Sequence, residues 1–170
     1  YRALRARNPL AASLTFGLAP SSNVNGGSAS STIVLPGLPF EFELGGAARA
    51  LSGVRVSAGG ALSWRFQQEE RAETALEVQA SGRTYVLSPE ARRLAPEARG
   101  ADYADVAASA SLVRRWRPLG SSGPSSAALT LGQTWYDGSP YIAVAQGSFG
   151  RSFAVGERDR LLVTEFAERT

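Results

Sequence analysis

Apolar and polar residues alternate along most of this chain with a period of two. From Leu10 to Leu18, one side of the pattern carries Leu10, Ala12, Leu14, Phe16 and Leu18, and the other Ala11, Ser13, Thr15 and Gly17. From Val54 to Gln67 the apolar side is Val54, Val56, Ala58, Gly60, Leu62, Trp64 and Phe66, set against Arg55, Ser57, Gly59, Ala61, Ser63, Arg65 and Gln67. A third run opposes Thr74, Leu76, Val78 and Ala80 to Glu77, Gln79, Ser81 and Arg83. A fourth opposes Ala104, Val106, Ala108, Ala110, Leu112 and Trp116 to Asp105, Ser109, Ser111, Arg115 and Arg117. Successive side chains of a strand point to opposite faces, so this period predicts β-strands. Three further strands, at 127–136, 141–155 and 160–167, alternate less cleanly and are read from β-propensity and the turns between them.

Turns punctuate these runs at 68–71, 120–126, 137–138 and 156–159. Asp137-Gly138 is the strongest hairpin signal, because a two-residue mirror-type turn needs the positive φ that Asp and Gly tolerate. Two long connections, 20–53 and 87–101, alternate with the short turns. The first is expected to hold its own hairpin, 31–35 with 39–44, and the second a short helical piece at Pro89–Leu94. Residues 1–8 have helical composition and read as the end of an upstream helix stopped by Pro9.

The fold class expected is therefore all-β, an antiparallel up-and-down meander of about seven strands. Three features favour part of a transmembrane outer-membrane barrel spanning 9–170 over a soluble β-sandwich. The polar side is built from Ser, Gly, Ala and Thr with scattered charges, which suits a wet lumen. Strand runs exceed the usual five or six residues. Aromatics sit at strand ends, as in the interfacial girdles of such barrels: Trp64, Phe66, Trp116, Trp135 and Tyr141. Single-chain bacterial barrels have even strand numbers, so seven strands imply further barrel strands after residue 170. With the first strand running outward, the long connections are external, the turns at 68–71, 120–126 and 156–159 are periplasmic with the N-terminus, and the short 137–139 connection is external, an exception to the rule of long external loops.

Composition narrows the chemistry. The 170 residues contain no His, Cys, Met or Lys, and all 18 basic residues are Arg. This excludes disulfides, thiolate metal sites, a Ser-His-Asp triad and Schiff-base chemistry within the chain. No enzyme activity, cofactor or metal is expected. The net charge of +3 reflects an Arg-rich, Lys-free coding bias more than a partner, and no nucleic-acid partner is expected. No apolar run is long enough for a transmembrane helix, which says nothing of strands.

Several residues invite two readings. Arg55, Arg65, Arg83, Arg114, Arg115 and Arg117 either line a lumen and bind anionic groups, or pair with carboxylates such as Glu77 and Asp105. Gly17, Gly59, Gly60, Gly132 and Gly147 either keep a lumen clear or mark bulges and bends. Asn23 and Asn25 either contact a partner or bond their own loop. Glu69-Glu70 reads as a solvated turn.

The string Asn8-Pro9, Ser13-Leu-Thr-Phe-Gly17 and Ala19-Pro20-Ser21-Ser22-Asn23-Val24-Asn25 resembles the start of the barrel in the surface lipoprotein assembly modifier (Slam) family. The resemblance continues at Gly37-Leu-Pro-Phe40, Ala48-Arg-Ala50 and Ser52-Gly53, and more loosely at Trp135-Tyr-Asp-Gly138, with Ser21 where the family commonly has Asp. It implies a periplasmic tetratricopeptide-like helical region ending near residue 8, then a 14-stranded barrel in the bacterial outer membrane. It also implies a non-catalytic role in carrying lipoproteins to the surface of Gram-negative bacteria. The partners would be outer-membrane lipid and a client surface lipoprotein, and the motif loop would include Pro20, Asn23 and Asn25. A passive outer-membrane pore of another family, and a soluble β-sandwich binding module, remain the alternatives.

Overall fold

The computed structural model describes residues 8–37, 39–120, 123–155 and 159–169. Nearly all of it is strand. The long strands are β1 (Leu10–Ser21), β4 (Gly53–Gln68), β5 (Ala72–Leu87), β6 (Asp105–Trp116), β7 (Ser125–Tyr136), β8 (Ser139–Val155) and β9 (Asp159–Arg169). They form one seven-stranded antiparallel sheet in the order β1-β4-β5-β6-β7-β8-β9. Two short strands, β2 (Thr32–Val34) and β3 (Glu41–Glu43), pair as a separate hairpin in the connection between β1 and β4. The sheet is open: β1 and β9 are its edges, each with one partner among the described residues. Residues 1–7 of the expected helix, part of the turns at 120–126 and 156–159, and Leu38 of the motif lie outside the described residues.

The meander follows from the sequence. Four of the long strands alternate cleanly, each long strand pairs with the next long strand in sequence, and the short turns admit only antiparallel pairing. At the 137–138 turn both residues have positive φ, 49° and 71°, the mirror-type geometry that Asp-Gly favours. Gln68 and Ala72 bracket a tight turn in which Glu69 N donates to Ala72 O at 2.7 Å.

Four expectations need correction. β1 runs past Leu18 to Ser21, so Pro20 lies in an edge strand opposite Val54 and not in the loop; an edge strand is where a sheet tolerates proline. Phe66 does not extend the Trp64 face in regular pairing: the β4–β5 register shifts between Arg65 and Gln67, leaving Phe66 as the extra residue of a bulge. The strand glycines do not mark bulges. Gly17, Gly59, Gly60, Gly132 and Gly147 all sit in regular pairs, and the second register shift, in β7–β8, leaves Tyr141 as the unpaired residue. Arg114, for which lining a lumen is one of two readings, shares the apolar side with Leu112 and Trp116.

The only contiguous buried core among the described residues sits at one end of the sheet, where the two long connections pack together. Val24 and Leu51 of the first meet Leu87, Ala91 and Ala95 of the second, with Tyr85 and Tyr103 against them. Helix α1 (Pro89–Leu94) is started by Ser88, whose Oγ accepts from Ala91 N at 3.1 Å, with Pro89 in its first turn. Ser88 Oγ also meets Ser52 Oγ at 2.8 Å, joining the second connection to the first.

Candidate functional site

The sheet has two chemically distinct faces, and the register lays out each. On one face, rows of directly opposed residues read Leu10, Trp64, Leu76, Leu112, Leu129, and Ala12, Leu62, Val78, Ala110, Leu131. Farther toward the core-bearing end come Leu14, Gly60, Ala80, Ala108, Gln133, and Phe16, Ala58, Gly82, Val106, Trp135. This face has no covering layer among the described residues: Leu14, Phe16 and Leu18 are each 76% exposed and Leu131 60%. The apolar run from Leu10 to Pro20 extends about 33 Å along the strand at about 3.3 Å per residue. At the tilt of roughly 45° usual for transmembrane strands this becomes about 23 Å, close to the apolar band of about 25 Å on outer-membrane barrels.

The opposite face is lined by small polar residues and is concave. A groove of about 820 Å³ lies along it, bordered by Ser13, Thr15, Ser57, Gln79, Ser81, Ser109, Thr130 and Thr134. A groove on one face of a single sheet means that the sheet curls toward that face. Near the short-turn end both faces hold buried residues, Ala75 and Val113 on the polar face and Thr74 and Ser125 on the apolar one. Ser111 and Thr130 bond across strands at 2.8 Å.

Charges on the concave face form two groups with a neutral zone between them. Near the long connections, Arg83 donates through Nε to the carboxylate of Asp105, its directly opposed partner. Arg55 borders the groove at the same end and makes no ion pair among the described residues. Near the short turns, Arg115 bridges Glu77 at 2.7 Å and Glu73 at 3.3 Å. Arg65 donates through Nη2 to Asn8 O at 2.6 Å, tying the chain ahead of β1 to β4. These pairs are part-exposed, so each stabilises by about 1 kcal/mol or less and mainly sets the local field. Both readings of the Arg residues are thus represented: Arg83 and Arg115 are paired, while Arg55 offers an unpaired positive charge to the groove.

The aromatic candidates fall at the two ends of the apolar face. Trp64 stands at the short-turn end, 5.5 Å ring to ring from the bulge residue Phe66. Trp116 stands at the same end, and its ring lies 6.1 Å from Phe149. Trp135 lies toward the long-connection end, opposite Val106. Tyr141, 70% exposed at the second bulge, lies 6.4 Å from Tyr136. Phe149 and Arg151 carry no clear sequence signal, because apolar residues fall on both parities of β8: Ile142 and Val144 on one, Phe149 and Phe153 on the other.

The motif loop is self-bonded. Asn25 Nδ2 donates to Ala47 O at 2.9 Å and Arg49 O at 2.8 Å, and its Oδ1 accepts from Leu51 N at 2.9 Å and Gly27 N at 3.3 Å. Asn23 closes a smaller turn, donating to Gly27 O at 2.8 Å and accepting from Gly27 N at 2.9 Å. Glu69 accepts from Gln67 Nε2 at 2.6 Å within its turn. No protein-family model, curated protein or solved structure matches the chain.

Proposed function

We propose that this sheet is part of an outer-membrane β-barrel, with its apolar convex face in lipid and its polar concave face lining a lumen. The single observation that supports it best is the pairing of curvature with chemistry. An uncovered apolar face is convex, and the wet, small-residue face is concave, as barrel closure in a bilayer requires. A soluble sandwich needs the reverse, a covered apolar face. Closure takes further strands to satisfy the edges of β1 and β9. The β4–β5, β6–β7 and β8–β9 turns then lie on the periplasmic side with the N-terminus, and the packed long connections lie outside together with the short β7–β8 turn.

Within that reading, the barrel serves the passage or display of lipoproteins at the surface of a Gram-negative cell, without catalysis. This finer step rests on the resemblance to the Slam family at residues 8–66. A passive pore is the second reading, since a neutral wall of Ser, Thr and Gly between paired charges suits solute passage too. The test uses the full-length gene product. It should fractionate with the outer membrane and migrate faster on gels unboiled than boiled, and deletion of the gene should remove a lipoprotein from the cell surface. Heat-modifiable migration with unchanged surface display and measurable solute conductance would select the pore. A soluble product with no migration shift would overturn the barrel.

A further inference from the structure

The apolar face carries positive charge at two levels: Arg169, on edge strand β9, stands opposite Ala145 in the row of Leu131, and a pair of Arg residues stands at the short-turn end. Arg114 lies between Leu112 and Trp116 on β6, and Arg151 lies beside Phe149 on β8. Both occupy rows at the short-turn end, where Trp116, Ser125 and Arg151 are directly opposed, next to the row of Arg114, Ala127 and Phe149. The two Arg residues are thus two strands apart, about 10 Å across the sheet, and flank the Trp116–Phe149 ring pair. Arg151 also stacks over Phe153, 5.0 Å from the ring centre. Arg114 is anchored lightly: its Nη1 donates to Thr74 Oγ1 at 3.3 Å, and Glu69 stands 3.9 Å from its Nη2. Arg151 makes no ion pair among the described residues. The acidic residue sharing these rows is Glu165, opposite Phe149.

Two guanidinium groups around an aromatic platform, just where an apolar face ends, match one occupant: an anionic glycerophospholipid. Its phosphate would lie between the fork-shaped donors, its glycerol against the rings, and its chains along Leu112, Leu129 and Leu131. We infer that Arg114 and Arg151 form a phospholipid headgroup site on the outer wall of the barrel, in the leaflet on the short-turn side. This inference rests on the proposed barrel.

The test is native mass spectrometry of the detergent-purified full-length barrel, offered phosphatidylglycerol, phosphatidylcholine or inorganic phosphate. The expected result is retained phosphatidylglycerol in preference to phosphatidylcholine, undiminished by inorganic phosphate at equal concentration. Removing one cationic side chain at a membrane surface weakens anionic-lipid binding by about fivefold, so R114Q and R151Q should each lower retention by about that factor. R55Q, on the concave face, should leave retention unchanged. Equal retention of both lipids by the wild-type barrel would overturn the site without recourse to any variant, as would full displacement by inorganic phosphate. A product that shows no heat-modifiable barrel fails the earlier proposal, and this one with it. A folded barrel indifferent to headgroup charge fails this one alone.

Discussion

Asn25 satisfies four backbone groups with one side chain, and the chemistry of its partners fixes which way its amide points. Two carbonyls, of Ala47 and Arg49, require the donating nitrogen, and two amides, of Gly27 and Leu51, require the accepting oxygen. Loss of these bonds leaves part-buried backbone groups without partners next to Val24 and Leu51, the residues that enter the small core. Asn25→Ala is expected to destabilise the long-connection cap by about 2–3 kcal/mol, with each intramolecular bond contributing about 1 kcal/mol. Asn25→Asp should cost no less, because it presents a carboxylate oxygen to two carbonyls. Limited proteolysis of the membrane-inserted protein reads this as faster cleavage within 22–52. Asn23→Ala, confined to its own five-residue turn, should change cleavage far less. If both variants were cleaved like the wild type while a binding activity fell, Asn25 would be a contact residue and not a loop clamp. The sequence narrowed Asn25 to these two roles but contained no sign of its partners, because Ala47, Arg49 and Leu51 lie more than twenty residues away.

At the scale of elements, the turn between β7 and β8 isolates one backbone requirement. Gly138 has φ of 71° in a two-residue turn, whereas Gly147, within β8, has open space where a Cβ would stand and no positive φ. An L-residue in the left-handed region costs about 1–2 kcal/mol, so Gly138→Ala should lower the urea midpoint for folding into vesicles, and Gly147→Ala should leave it nearly unchanged. Equal effects would mean that the turn does not set the register of β7 and β8. This hairpin, the order of the seven strands, the β2–β3 hairpin and helix α1 were legible because each carries a local signal: a period, a turn dipeptide, a Ser-Pro start. The bulges at Phe66 and Tyr141 were not. An extra residue in one strand is defined by its partner strand, and around Phe66 the sequence alternates without interruption. Arg114 kept two readings in the sequence, lumen lining or pairing with a carboxylate, for a related reason. Charge suggested the wet side, while its parity with Leu112 and Trp116 put it on the apolar one. The core made by Val24, Leu51, Leu87, Ala91 and Ala95 joins segments about forty to seventy residues apart, and no pattern within either connection announces it.

For the whole molecule, the proposed barrel requires that one sheet present two faces to two solvents, and paired substitutions at one depth measure it. Leu131 stands on the convex face in the row of Ala110, Val78, Leu62 and Ala12. Ser109 stands one residue away from Ala110 on β6, borders the groove on the concave face, and is directly opposed to Gly132. In a bilayer, an Arg on the lipid face near mid-depth costs about 2–4 kcal/mol, whereas lumen positions accept charge. Leu131→Arg should therefore depress the folding free energy of the full-length protein in vesicles by that amount, and Ser109→Arg by less than about 1 kcal/mol. The same pair distinguishes lipid from a protein layer over the apolar face. If a second sheet covered Leu131, the wild-type protein would fold without vesicles, and the penalty for Leu131→Arg would be the same in buffer as in a bilayer. If lipid covers it, folding needs the bilayer, and moving the Arg toward the interface, as in Leu10→Arg at the short-turn end of the same face, should reduce the penalty toward about 0–1 kcal/mol. A depth-dependent penalty on the convex face, with tolerance on the concave one, is a pattern that only a membrane-spanning sheet produces, because only a bilayer has a polarity gradient along the strand direction.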